Sequence, residues 1–151
     1  MEYTPDEVMK NWEALKLRKK QRKGGILGGV PRSLPAMVKA FRIGEKAASS
    51  GFDWEKKEDI WAKVKEEIAE IEVEMAANNH ERTTEEVGDL FFALVNMCRL
   101  YGIDPEMALE KCNKKFISRF QHMEAEADGK LFTEMTAEEL DVLWRSAKKD
   151  E

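Results

Sequence analysis

The chain has 151 residues, 42% of them hydrophobic and 36% charged, and carries a formal net charge of −5. That length suits one domain with a buried core. The acidic balance argues against general nucleic-acid binding, and no apolar run reaches the length of about 18 residues that would suggest a membrane span. The opening "MEYTPDEV" lacks the basic and apolar regions of a signal peptide. Cys98 and Cys112 both fall in helical patterns and read as reduced thiols. A cytoplasmic protein is therefore expected, with no membrane and no nucleic-acid partner.

Strand alternation is nearly absent, and helix signals recur. A first helix is expected from about Pro5 to Lys23, where Thr4, Pro5 and Glu7 supply an N-cap, a proline at N1 and a glutamate at N3. Its basic end, "KLRKKQRK" at 16–23, reads as a solvated helix terminus, since cations are favoured there by the macrodipole. A nucleic-acid or partner tail is the alternative. "GGILGGVPRS" then breaks the chain, so residues 1–29 read as a helix with a glycine-rich linker, and 30–151 as the main domain.

A second helix spans about Leu34 to Ser50, with Ser33 as its cap and Gly51 as its stop. "GFDW" follows as a short turn whose aromatics are expected to anchor in the core. The third helix covers about 55–78. Val64, Ile68, Ile71 and Met75 form an apolar stripe on it, flanked by Glu67, Glu70 and Glu74. The fourth, about Thr84 to Tyr101, is apolar almost all round and should lie at the centre of a bundle. The fifth runs from Asp104-Pro105 to about Ala127, with Met107, Leu109, Cys112, Phe116, Phe120 and Met123 as core positions. A short helix from Ala137 to about Lys148, capped by Thr136 and Glu139, ends the chain. The expected fold is all-α, a four-helix-bundle core with flanking helices. So apolar a fourth helix needs more cover than one small chain provides, which suggests a homodimer.

On the fourth helix one strip departs from the apolar pattern: Arg82, Glu86, Asp89, Ala93 and Asn96 share a face, and the small Ala93 leaves room there. Two neighbouring helices thus each carry acids three residues apart, Glu67 with Glu70 and Glu86 with Asp89. Side by side, four carboxylates would repel strongly in a low-dielectric groove. A divalent cation removes that cost, and hard oxygen donors suit Mg²⁺ or Mn²⁺ better than zinc. The plain alternative is surface charge, with Glu86 doing no more than capping if Thr83 is an N-cap. Mg²⁺ held this way takes its remaining ligands from water and phosphates. Lys115 and Arg119, at i and i+4, and Trp144 with Lys148, again at i and i+4, could bind phosphates and stack on a base. Exposed helix cations and a core tryptophan are the alternative.

The order Glu66-Glu67-x-x-Glu70, fifteen residues, Glu86-x-x-Asp89 resembles the metal signature of the all-α nucleoside triphosphate pyrophosphohydrolases. "VPRSLPAMVKAFRIGEKAASSGFDW", "KVKEEIAEIE", "EEVGDLFFALVN" and "NKKFISRF" are similar, in order, to segments of the MazG family and its C-terminal catalytic domain. The resemblance covers roughly 30–148. It implies that Glu67, Glu70, Glu86 and Asp89 hold Mg²⁺, that Lys115 and Arg119 contact the triphosphate, and that Trp144 and Lys148 lie near the nucleotide. Arg82 stands where the family has a lysine, and Glu66 is the carboxylate placed to activate water, with Glu67 beside it. The implied reaction is NTP + H₂O → NMP + pyrophosphate, in a dimer or larger oligomer. Two-domain members carry a second N-terminal copy that does not occur in this sequence.

Three other readings compete. A di-iron bundle would want Glu-x-x-His pairs, but Ala77 and Arg119 precede His80 and His122 at that spacing. A helical interaction module would leave the acids as solvated charge. Within the superfamily, a narrow dUTP, dCTP or phosphoribosyl-ATP enzyme is the alternative to broad NTP use.

Overall fold

The computed structural model describes residues 2–22 and 24–149. Among them are six α-helices: α1 (Pro5–Arg22), α2 (Ala36–Ser49), α3 (Ile60–Ala76), α4 (His80–Leu100), α5 (Pro105–Ala127) and α6 (Ala137–Lys149). Single 3₁₀ turns occur at Ile26–Gly29, Lys57–Asp59 and Phe132–Glu134. No described residue is in a strand, so the class is all-α. None of the described helices is long and apolar enough to cross a membrane. Lys23, the end of the basic run, lies outside the described residues, as do the side chains of Lys19, Lys20 and Arg22.

Local chemistry sets the helix starts. Before α1, the Thr4 N–H donates to Glu7 Oε2 at 2.8 Å and the Glu7 N–H to Thr4 Oγ1 at 3.3 Å, the expected reciprocal cap. Thr136 and Glu139 repeat it before α6, the Glu139 N–H reaching Thr136 Oγ1 at 3.1 Å. α2 begins at Ala36, two residues later than expected, with Pro35 at the cap and no side-chain hydrogen bond. Ser33 is therefore not the cap, because a proline excludes the preceding Leu34 from helical backbone. α3 starts at Ile60, since 57–59 form a 3₁₀ turn. α4 starts at His80, four residues before the expected Thr84, because the Asn79 side chain accepts the Arg82 N–H at 3.2 Å. This removes the capping explanation for Glu86, which lies beyond the first turn.

The chain divides into two compact units after Pro105. In the first, α3 and α4 pack on each other and α2 packs on α4. The α3–α4 connection is tight: Asn78 takes φ 54°, a left-handed conformation that asparagine tolerates. Ile60 and Val64 of α3, Ala93 and Val95 of α4, Gly44 of α2 and Val30 are buried. Gly44 is needed where it stands, because a Cβ there would meet Asn96 Oδ1 at 2.9 Å and Arg99 Nε at 3.2 Å. In the second unit, Phe116 lies 5.6 Å from the Trp144 ring and Phe120 5.2 Å from Phe132, over the buried Met123 and Ala147.

Several burial expectations need correction. Of the expected α3 stripe Val64 is buried and Ile71 half-buried, while Ile68 and Met75 are exposed, and the most buried residue of 63–75 is an acid, Glu67, at 2% exposure. The α3 face packed on α4 is offset from the apolar stripe toward the row of acids. Ala93 is buried and, small as it is, borders the cavity that opens beside Asp89 and Asn96. α4 is not covered all round within one chain, since Phe91 is 60% exposed and Phe92 is exposed as well. Phe52 of "GFDW" is 84% exposed and Trp54 is exposed too, so neither anchors in the core. Of the expected α5 core, Met123 is buried, whereas Met107, Leu109, Cys112, Phe116 and Phe120 are exposed.

Candidate metal and nucleotide site

α3 and α4 bring their acids together. Oxygens of Glu67, Glu86 and Asp89 lie within 4.8 Å of one another, as do those of Glu66, Glu67 and Glu70. Glu67 belongs to both sets and is the centre of the cluster. The reason is helical: residues three apart on one helix share a face, and the two faces meet where α3 and α4 pack.

One cation answers this charge from within α3. Lys63 Nζ contacts Glu67 Oε1 at 2.6 Å and Glu66 Oε2 at 3.6 Å. It holds the Glu67 carboxyl below its ordinary value, while Glu67 in turn pushes the Lys63 ammonium up. The remaining acids are under-compensated. Hydrogen bonding with Glu70, helped by burial and by Glu67, pushes Glu86 up to about 7, as expected when carboxylates crowd. Glu67 Oε2 and Glu86 Oε2 are buried with no hydrogen-bond partner, and a buried unpaired oxygen of this kind calls for a ligand. The donors are all hard carboxylate oxygens. Such donors fit a divalent cation of the magnesium or manganese type, and Glu67, Glu70, Glu86 and Asp89 are the residues that could hold it.

The other expected site residues fall as follows. Glu66 is an exposed member of the cluster. Arg82 pairs with Glu74 at 3.7 Å, so the third acid of the α3 row is matched by a side chain. Lys115, Arg119, Trp144 and Lys148 lie in the second unit. There Arg119 Cζ lies 5.3 Å and Lys148 Nζ 5.7 Å from the Trp144 ring centre, cation–π distances. Lys115 is exposed.

Next to the acids is a feature that the sequence did not announce. A cavity of about 800 Å³ opens among α2, α3, α4 and the 51–56 loop, bordered by Glu67 and Asp89, by the rings of Phe52, Trp54 and Phe92, and by Asn96. The loop is tied to α4 by a two-pronged ion pair: Arg99 Nη2 donates to Asp53 Oδ1 at 2.6 Å and Nη1 to Oδ2 at 3.2 Å. The guanidinium holds the Asp53 carboxyl below its ordinary value. Arg99 Nε donates to Asn96 Oδ1 at 2.9 Å. The Lys63–Glu67 spacing of four could have been read from the sequence. Asp53 and Arg99, 46 positions apart, offered no such signal.

The all-α fold and the carboxylate cluster together define a helical protein with a candidate cation site. The chain belongs to the phosphoribosyl-ATP pyrophosphohydrolase family, whose profile matches residues 36–116. It is 38% identical over 148 residues to the nucleoside triphosphate pyrophosphohydrolase/pyrophosphatase MazG of Thermotoga maritima, covering 96% of this chain and 57% of that one. It is 37% identical over 151 residues to the nucleoside triphosphate pyrophosphohydrolase of Escherichia coli K12, again with 96% and 57% coverage. An uncharacterized Bacillus subtilis protein, YabN, is 43% identical over 150 residues, which make up 31% of its length. The chain thus spans little more than half the length of the two named hydrolases.

Proposed function

We propose that the chain is a Mg²⁺-dependent nucleoside triphosphate pyrophosphohydrolase, converting NTP or dNTP and water to the monophosphate and pyrophosphate. The observation that carries this reading is Glu67, 2% exposed at the centre of four facing acids, with one buried oxygen that no protein group satisfies. The names of the two relatives support it.

Glu67, Glu70, Glu86 and Asp89 would hold Mg²⁺, or Mn²⁺ in its place. When bound, the ion supplies charge neutralisation on phosphate oxygens. The chain's own groups do the rest. Glu66, exposed at the edge of the cluster, accepts the proton of a water whose oxygen attacks the α-phosphorus; Glu67 beside it fixes the local charge. The bond between the α-phosphorus and its bridging oxygen breaks, and pyrophosphate leaves with the electron pair. Lys115, Arg119 and Arg82 offset negative charge on the phosphates, with Trp144 and Lys148 near the nucleotide. Residues 30–151 form the catalytic domain behind the helix and linker of 1–29. A homodimer would cover the exposed Phe91, Ile68 and Val73.

The family's own description favours a second reading, phosphoribosyl-ATP as substrate. The test is a panel of NTPs, dNTPs and phosphoribosyl-ATP, incubated with Mg²⁺ or with EDTA, with products separated. Monophosphate plus pyrophosphate, formed only with metal, is the expected outcome. Diphosphate plus phosphate would refute attack at the α-phosphorus, and turnover of phosphoribosyl-ATP alone would favour the second reading.

A further inference from the structure

The cavity beside the acid cluster has a polar end and an acidic end joined by aromatic walls. At about 800 Å³ it lies within the range of small-molecule sites. Asp89 and Asn96 both border it. They are seven positions apart on α4, so they stand about 10 Å apart along the helix axis. That is comparable to the reach of a nucleotide from its 5′ phosphate to the far edge of its base. Phe52, Trp54 and Phe92 lie along the walls. The exposed rings of Phe52 and Trp54 offer stacking surface that the protein core does not use.

The orientation of Asn96 is fixed by its neighbour. Arginine has only donors, so the Asn96 atom 2.9 Å from Arg99 Nε is the carbonyl oxygen. Gly44 leaves the room this carbonyl needs. Arg99 cannot swing away without breaking its two bonds to Asp53. Asn96 borders the cavity, and its NH₂, on the other side of the amide from the carbonyl that Arg99 holds, has no protein hydrogen bond among the described residues. Of the other strongly polar groups bordering the cavity, Asp53 is engaged by Arg99 and by the Trp54 N–H at 2.9 Å, and Lys63, toward the acidic end, by Glu67. Glu55 and Asp59 also border the cavity but are exposed.

We propose that Asn96 reads the nucleobase, its locked amide NH₂ donating to an exocyclic oxygen, so that 6-oxopurine and 4-oxopyrimidine nucleotides are favoured over their 6-amino and 4-amino counterparts. This rests on the triphosphate reading above for the placement of the phosphates. An amino group in the same place would set donor against donor and leave the Asn96 NH₂ unpaired.

The experiment compares ITP with ATP and UTP with CTP, by pyrophosphate release with Mg²⁺ and by equilibrium binding. Each pair differs at the exocyclic group and at the ring nitrogen beside it, which carries a hydrogen in the oxo member and a lone pair in the amino member. For the wild type we expect kcat/KM or affinity at least about tenfold higher for the oxo member, the value of one hydrogen bond. Asn96→Asp keeps an oxygen facing Arg99 and replaces the donor with an acceptor, and it should lower the oxo-to-amino ratio by about tenfold or more. Ratios near one in the wild type, or a preference for the amino members, would overturn the proposal without any variant. So would an Asn96→Asp protein that loses equally on both members of each pair. Oxo-selective binding without pyrophosphate release would uphold base reading and refute the hydrolase. Pyrophosphate release without selectivity would do the reverse.

Discussion

Arg99 on α4 grips Asp53 through two hydrogen bonds, at 2.6 and 3.2 Å, and so fastens the loop after α2 to the helix that carries Glu86 and Asp89. Side-on pairing of this kind is the stronger form of charge-assisted bond. The arginine side chain is 13% exposed, which leaves it poorly served by water if Asp53 is removed. Asp53→Asn should cost about 1–3 kcal/mol of stability and speed amide exchange in residues 51–56. The Asp53→Asn and Arg99→Met effects should be non-additive in a double-mutant cycle. Additive effects would mean that the pair is not coupled.

The same pair sets an acid limit. The folded Asp53 carboxyl is held below its ordinary value of 3.8, so the folded state binds fewer protons than the unfolded chain there. Its contribution is fully present above the unfolded value and is lost as pH falls through the folded one. Wild type and Asp53→Asn should therefore differ in Tm at pH 6 and converge below pH about 3.8. A constant difference down to the lowest pH would refute the assignment.

Glu86 works in the opposite sense. Its folded value, about 7, lies above the ordinary 4.5, so the folded protein binds more protons than the unfolded one between these limits. In EDTA, the wild type should lose stability relative to Glu86→Gln as pH climbs from about 4.5 to about 7, with no further loss above. Added Mg²⁺ or Mn²⁺ should raise Tm more at pH 8 than at pH 5.5, because a protonated carboxyl must release its proton to bind metal. Equal Tm shifts at both pH values would show that the acids do not titrate with the cation.

Glu70→Gln and Asp89→Asn should each lower turnover by at least about 100-fold while the helical circular dichroism persists, since each removes one charge from a metal-ligand set. Full activity in either would sink the metal-site assignment.

Arg119→Ala should raise KM for a triphosphate about tenfold or more, with a smaller change in kcat, if the guanidinium binds ground state and transition state alike. Its proximity to the Trp144 ring adds a control: Trp144 fluorescence should change in the variant without nucleotide. An unaltered KM would remove Arg119 from the substrate contacts.

Gly44→Ala should destabilise by about 1–3 kcal/mol, as overpacking does, because its Cβ would meet Asn96 Oδ1 at 2.9 Å. Unchanged Tm would mean that α2 can move off α4 at little cost.

The sequence by itself determined the helices and much of the acid cluster, and it did so for local reasons. Caps at Thr4 and Thr136 are set by residues three apart, and the pairing of Glu67 with Glu70, or Glu86 with Asp89, follows from helical periodicity alone. Local signals failed where two caps competed: Asn79 won over Thr83 because its side chain reached the Arg82 N–H. Only the tertiary structure decided which face of α3 is buried. Of the stripe Val64, Ile68, Ile71 and Met75, only Val64 and Ile71 turn inward, and Glu67 takes the most buried place, because the face that packs on α4 is offset toward the acids. The nucleotide-sized cavity was likewise invisible in one dimension. Its polar end depends on Asp53, Asn96 and Arg99 meeting across the packing of α2 on α4, and contacts between positions 46 apart carry no periodicity for a sequence to display.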